Sequence, residues 1–271
     1  MSIAYDIRCP ECGAAFSSTN VIGGDSVKCP KGHRFNSFAI YRSFVQDLEF
    51  AARIVDYMTE AVFRDYTVLG TEADRKAVDQ AFERWNFWNL FRDVVKDTII
   101  YGDSFLVQNN HEGFDRIEPA DADFTFKIGV RRGKAAERYL EALLYAGKAV
   151  DPSTLLHFRH GMGESPLGFS VFGGWFKLFY TIEDIPQMRD DAEAKILTGA
   201  GLPVFFASNR WASTPRDATG PAYYAFRLML QDRRQTLEHD VETMILPVAV
   251  GKDWEVRGFP RFKIRGAVGP P

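Results

Sequence analysis

Two short stretches, Cys9-Pro10-Glu11-Cys12-Gly13 and Cys29-Pro30-Lys31-Gly32-His33, constrain this chain more than any other part of it. Two residues separate the ligand-type side chains of the first and three separate those of the second, so each can bend one tight turn around a tetrahedral ion. Pro10 and Pro30 fix φ directly after a cysteine, and Gly13 and Gly32 allow the positive φ such turns require. Gly23-Gly24-Asp25 followed by Ser26-Val27-Lys28 reads as a hairpin that returns the second group to the first. The chain has 3 cysteines and 5 histidines, and the pattern uses every cysteine. An odd count confined to the start argues against a disulfide framework. It suits thiolates on a metal in a reducing compartment. The expectation is a structural zinc ribbon over residues 1–38, with Zn2+ held by Cys9, Cys12, Cys29 and His33. So short a segment has almost no core, so the ion supplies folding energy. Four protein ligands leave no open coordination position for catalysis. The competing reading is buried free thiols with His33 on the surface.

The remainder is ordinary globular material. Of 271 residues, 46% are hydrophobic and 25% charged, enough apolar mass for one large domain or two smaller ones. A net charge of −3 gives no global attraction to nucleic acid or anionic membrane, so any DNA contact is local or read through shape. The 23 Phe serve either a Phe-rich core or subunit interfaces, where aromatics are enriched. Met1 to Asp6 lacks a signal pattern. Apolar stretches such as Val171 to Tyr180 are too short to span a bilayer.

Phe44, Leu48, Ala51, Val55, Met58 and Val62 recur at helical steps and predict one amphipathic helix. Gly70 closes the connection after it. Thr71, with Asp74 three residues on, predicts the N-cap of a second helix that buries Ala77, Val78, Ala81, Phe82 and Trp85. A third helix runs from Phe87 to Ile99, closed by Tyr101-Gly102-Asp103. Short β-like runs follow at Phe105-Leu106-Val107, Arg116-Ile117, Phe124-Thr125-Phe126 and Tyr139 to Tyr145. The turns between them are set at His111-Glu112-Gly113 and Arg131-Arg132-Gly133-Lys134. Thr154 to His160 reads as another strand.

His157, His160 and Glu164 are the one grouping that invites an enzyme reading. Residues three apart on a strand project to opposite faces, so the two imidazoles would not converge. Gly161-Met162-Gly163 lacks the spacing and the lysine of a phosphate loop. No catalytic residues are assigned, and the chain is expected not to be an enzyme.

Several passages, taken in order, resemble tailed-phage portal proteins. Asp97-Thr98-Ile99-Ile100-Tyr101-Gly102-Asp103-Ser104-Phe105-Leu106 is similar to the family's helix-to-strand segment. Arg116-Ile117-Glu118-Pro119-Ala120-Asp121 resembles the step after it. Leu156-His157-Phe158-Arg159-His160, then Gly163-Glu164-Ser165-Pro166-Leu167, resembles its "His-Phe-Arg … Gly-x-Ser-Pro-Leu" passage. Leu197-Thr198-Gly199-Ala200-Gly201-Leu202-Pro203-Val204 also follows the family order. The likeness runs from about residue 44 to 210. Portal chains are usually longer, and an amino-terminal zinc ribbon is not a general feature of them.

The resemblance implies an α+β subunit: a wing-like α+β region over 39–175, a stem–clip–stem region over 176–246 with the clip near 203–221, and a carboxy-terminal segment over 247–271. It implies a homo-oligomeric ring, a dodecamer in the family's usual form, at one vertex of the capsid of a virion. Its partners would be the major capsid protein, the terminase, neck or adaptor proteins, and double-stranded DNA passing through a channel, with no membrane. Such a ring needs a heterologous interface between neighbours. The long helix from Ala222 to Ile245 carries Phe226, Leu230, Leu237, Val241 and Met244 on one side. Arg227, Arg233, Arg234, Glu238 and Glu242 lie elsewhere on it, and Pro247 is expected to end it. Trp254, Phe259, Phe262 and Ile264 invite strand pairing. The alternative function is a zinc-ribbon nucleic-acid-binding protein, in which Arg8, Lys28, Lys31 and Arg34 would meet phosphate.

Overall fold

The computed structural model describes residues 5–18, 26–109, 113–129, 137–160, 166–172 and 221–266. The hairpin turn at 23–25, the basic turn at 131–134, the Gly161–Gly163 stretch and the clip region lie outside the described residues.

Two hairpins open the chain. β1 (Tyr5–Arg8) pairs with β2 (Ala15–Ser18), and β3 (Ser26–Lys28) with β4 (Arg34–Asn36), both antiparallel. α1 (Phe38–Asp47), α2 (Glu49–Val62), β5 (Asp65–Leu69), α3 (Glu72–Arg84) and α4 (Phe87–Ile100) follow. The single helix predicted from Phe44 to Val62 is divided at Leu48, which is extended at φ −115°, ψ 105°. No Gly or Pro lies between 38 and 62, and the apolar stripe continues through the break, so nothing local announces it. The predicted cap of α3 forms: the Thr71 hydroxyl accepts from the Asp74 amide (3.2 Å) and donates to its carboxylate (2.8 Å).

β6 (Asp103–Asn109) is the central strand of an antiparallel sheet between β7 (Gly113–Ile117) and β11 (Leu155–Arg159). A second sheet joins β8 (Ala122–Gly129), β9 (Glu137–Tyr145) and β10 (Lys148–Ala149), with an irregularity between Thr125 and Phe126. β12 (Arg261–Arg265) pairs with β5, the strand the sequence reading leaves as a connection. This pairing places Phe262, fully buried, against Tyr66, Phe82, Phe87 and Phe91 with ring centroids 5.3 to 6.3 Å apart. Phe63 meets Phe91 edge-on at 4.9 Å. Much of the chain's Phe content thus goes into one aromatic core.

After the buried Phe172 the chain is next described in α5 (Pro221–Asp240). Neither α2 nor α4 has a basic residue in its last turn, so their terminal carbonyls lack a local cation. α5 supplies two. Arg233 Nη1 donates to the Thr98 carbonyl (3.2 Å), and Arg234 donates through Nε to Val62 (3.2 Å) and through Nη2 to Ala61. The sequence reading sets Arg233 on a polar face; it is in fact buried, and desolvation lowers its pKa to about 9. Glu242, also expected outside, is buried. It accepts the Phe262 amide (2.9 Å) and Arg261 (2.7 Å), while Glu238 accepts the Ile264 amide (2.8 Å) and Lys263 (2.8 Å). Nor does Pro247 end the helix. A π turn over Val241–Ile245 leads into α6 (Leu246–Val250), whose first turn holds Pro247, where a missing amide costs nothing. Gly251, at φ 63°, makes the stop.

Phe262→Ala should destabilise the chain by about 3–5 kcal/mol, whereas the exposed Leu228→Ala should change stability by less than about 0.5 kcal/mol. Urea unfolding of the two variants checks this.

Candidate metal centre

Each opening hairpin ends in a knuckle. In the first, the Gly13 amide donates to the Cys9 carbonyl (2.8 Å) and the Cys9 amide to Ala14 (3.0 Å). In the second, Gly32 donates to Cys29 (2.9 Å) and Cys29 to His33 (3.0 Å). Gly13 and Gly32 adopt φ of 67° and 92°, as the turns demand. Ile7 and Val27, both buried, are the small apolar support beneath.

The knuckles bring together all four predicted ligands. The Sγ atoms of Cys9, Cys12 and Cys29 and a ring nitrogen of His33 lie within 4.8 Å of one another. Cys9 and Cys29 are buried; Cys12 and His33 are half-buried. His33 Nδ1 is 3.4 Å from Cys29 Sγ and 3.8 Å from Cys9 Sγ. In a tetrahedral centre with metal–sulfur and metal–nitrogen bonds of about 2.3 and 2.0 Å, sulfur and nitrogen lie about 3.5 Å apart. The cluster therefore fits a four-coordinate ion. Among the described residues it is the one grouping of such donors that does.

Without an ion the donors hold protons in a graded way. Burial raises the Cys9 thiol. Burial acts in the same direction on Cys29, but hydrogen bonds from the His33 backbone and ring outweigh it and lower that thiol to about 7. The neighbouring Cys29 and Cys12 raise His33. A bound ion must displace these protons.

The sequence reading misses how this centre is attached to the body. Asn36, at the end of β4, is buried and donates to the carbonyls of Pro119 (2.9 Å), Ala120 (3.2 Å) and Ala122 (2.5 Å). Its Oδ1 accepts the Ala39 amide (3.1 Å) in the first turn of α1. Arg42 reaches Asp121 at 2.6 Å beside it. An Asn-Ser pair ahead of an apolar helix is the signal that could have found Asn36.

A second polar cluster lies where α4 turns into β6. Gly102 has φ 84°, and a Cβ there would collide with the Phe169 backbone. Asp103, fully buried, accepts the Gly168 amide on both oxygens (2.8 and 2.9 Å) and meets His157 Nε2 at 2.6 Å. Asp97, also fully buried, accepts Arg116 through Nε (2.7 Å) and Nη2 (2.6 Å), and Ser104 (3.1 Å). Burial pushes its pKa up to about 6 against the pull of Arg116, so the pair is ionic at neutral pH. The Tyr101 hydroxyl donates to Glu118 at 2.6 Å.

Of the enzyme-like grouping, the two histidines make separate contacts. His157 faces Asp103 and stacks on Phe105, while His160 is pushed down to about 3 by burial and the nearby Arg233. Glu164 lies outside the described residues. No described helix is long and apolar enough to cross a membrane. No protein-family model matches the chain, and no curated protein matches it.

Two outcomes follow from this geometry. Metal retention should fall steeply as pH drops from 7.5 to 5.5, because Cys29, lowered to about 7, takes up its proton in that range and the raised His33 favours its protonated form, and a chromophoric chelator reads the release. Asp97→Ala should cost about 3 kcal/mol in chemical unfolding by stranding Arg116.

Proposed function

We propose that the ion in the amino-terminal cluster is zinc, in a purely structural role, and that the chain is a portal-type subunit of a tailed-phage capsid. Three soft thiolates and one imidazole in a tetrahedral set favour zinc over the hard divalent cations, which take oxygen ligands. All four positions are protein ligands, so the centre organises the chain and performs no reaction.

The observation that carries the portal reading is convergence. Of the four passages that resemble the family, the last lies outside the described residues, and the other three meet at one place: Gly102 and Asp103 from the first, Arg116 and Glu118 from the second, and His157 from the third. Segments that make up one structural unit of a family should meet in this way. The chain is also described up to the buried Phe172, where the Val171 amide donates to Ile99, and again in α5, where Arg233 donates to the Thr98 carbonyl close by. A stem–clip–stem region would begin and end at such a place. On this reading identical subunits close into a ring at the capsid vertex, and DNA enters and leaves through the centre. Terminase and then neck proteins dock on the clip.

Native mass together with negative-stain images tests the reading. A large closed ring with a central hole is expected; a zinc-loaded monomer or dimer at high concentration would remove it.

The metal cluster bears more directly on a second reading, nucleic-acid binding by the ribbon. Lys28 and Arg34 are direct cross-strand partners on β3 and β4, both exposed, with Lys31 in the turn between. Like charges placed opposite one another repel, and none of the three has an acidic partner among the described residues. An anionic backbone would relieve that repulsion. Replacing all three with Ala should abolish binding to a labelled duplex and flatten its salt dependence. If the intact chain shows no binding at low salt, this second reading fails.

A further inference from the structure

We propose that Glu11 is the outer partner of the metal centre, fixing which ring nitrogen of His33 faces the ion. This rests on the zinc reading and adds to it a residue that is not itself a ligand.

The two nitrogens of His33 lie in different surroundings. Nδ1 points inward, 3.4 Å from Cys29 Sγ and 3.8 Å from Cys9 Sγ, close to the separation a shared tetrahedral ion imposes. Nε2 points outward, and the acidic group it faces is Glu11, whose Oε2 is 3.8 Å away. A neutral imidazole that ligates through Nδ1 must carry its proton on Nε2. At 3.8 Å the Glu11 carboxylate stands just beyond hydrogen-bond reach of that proton, and a small rotation of its exposed side chain would close the gap to the kind of partner that holds metal-bound histidines in orientation.

The placement follows from the fold of the knuckles. Glu11 lies inside the first turn, which the Gly13-to-Cys9 hydrogen bond closes, while His33 ends the second. A residue of one hairpin thereby steadies a ligand contributed by the other. Nothing in the described residues diverts Glu11: its one ion pair there is with His33, although Lys28, Lys31 and Arg34 lie in the neighbouring hairpin. The Glu11 side chain is 55% exposed and that of His33 is 37% exposed, so water competes for the contact. The expected effect therefore sits at the low end of the range for outer partners, about 10-fold in metal affinity.

The test uses the full chain loaded with zinc, as wild type, Glu11→Gln and Glu11→Ala. Chelator competition gives the affinity, and nitrogen and proton NMR of the His33 ring gives the ligating nitrogen and the exchange rate of the Nε2 proton. Glu11→Ala should weaken zinc binding about 10-fold and speed that exchange. Glu11→Gln should fall between, since its amide oxygen still accepts. Three results would overturn the proposal: zinc on Nε2, variants with unchanged affinity and exchange, or equal weakening in both with unchanged exchange, which marks a through-space charge effect. A wild-type chain that takes up no zinc overturns the zinc reading as well, whereas a zinc-binding wild type with silent variants overturns the role of Glu11 alone.

Discussion

The contact of Gly102 with Gly168 and Phe169 is the constraint on which much of the body depends. Two stretches of backbone touch there with no side chain between them, and a Cβ on either glycine would meet main-chain atoms. The closeness allows His160 to donate to Gly102 and Phe169 to donate to His160 (2.8 Å each), so the strap over 166–172 is stitched to the start of β6. It also brings the Gly168 amide onto Asp103, a carboxylate withdrawn fully from water. A buried charge without such partners would be strongly unfavourable. The strap, the central sheet and the end of α4 therefore take up one arrangement together.

Four polar residues tie the remaining parts to this junction and to one another. Asn36 joins the hairpins of the Cys/His cluster to the 119–122 corner through three carbonyls, and Arg42 reinforces it. Arg233 and Arg234, adjacent in α5, reach the ends of two different helices. Apolar packing supplies most of the driving force here, as in any fold. Direction comes from these hydrogen bonds, which are satisfied in one relative placement of the elements.

The parts legible in the sequence were those encoded over a few residues. The Cys9, Cys12, Cys29 and His33 cluster, its glycines and the Thr71 cap depend on spacing within a turn, and each is brought together as the spacing implies. Helix α4 and strands β6 and β11 were visible through period and composition. Long-range partnerships were not. β5 looks like a connection until β12, almost two hundred residues later, pairs with it. Arg233 and Glu242 look like surface residues because isolated charges avoid burial, and the backbone groups that compensate them lie on other elements. The break at Leu48 has no local marker. The junction residues were legible as resemblance motifs, but not as neighbours.

The clasp on β12 has a further meaning for how the chain behaves in company. A two-stranded sheet ordinarily leaves each strand with one open edge, a row of amides on which another chain can add a strand. On β12 that row is taken: the carboxylates of Glu242 and Glu238, one helical turn apart on the return helix, receive the amides of Phe262 and Ile264. Their charge also repels an incoming carbonyl. The last of the described strands is thus closed on that edge to the strand addition from which fibril-like growth begins.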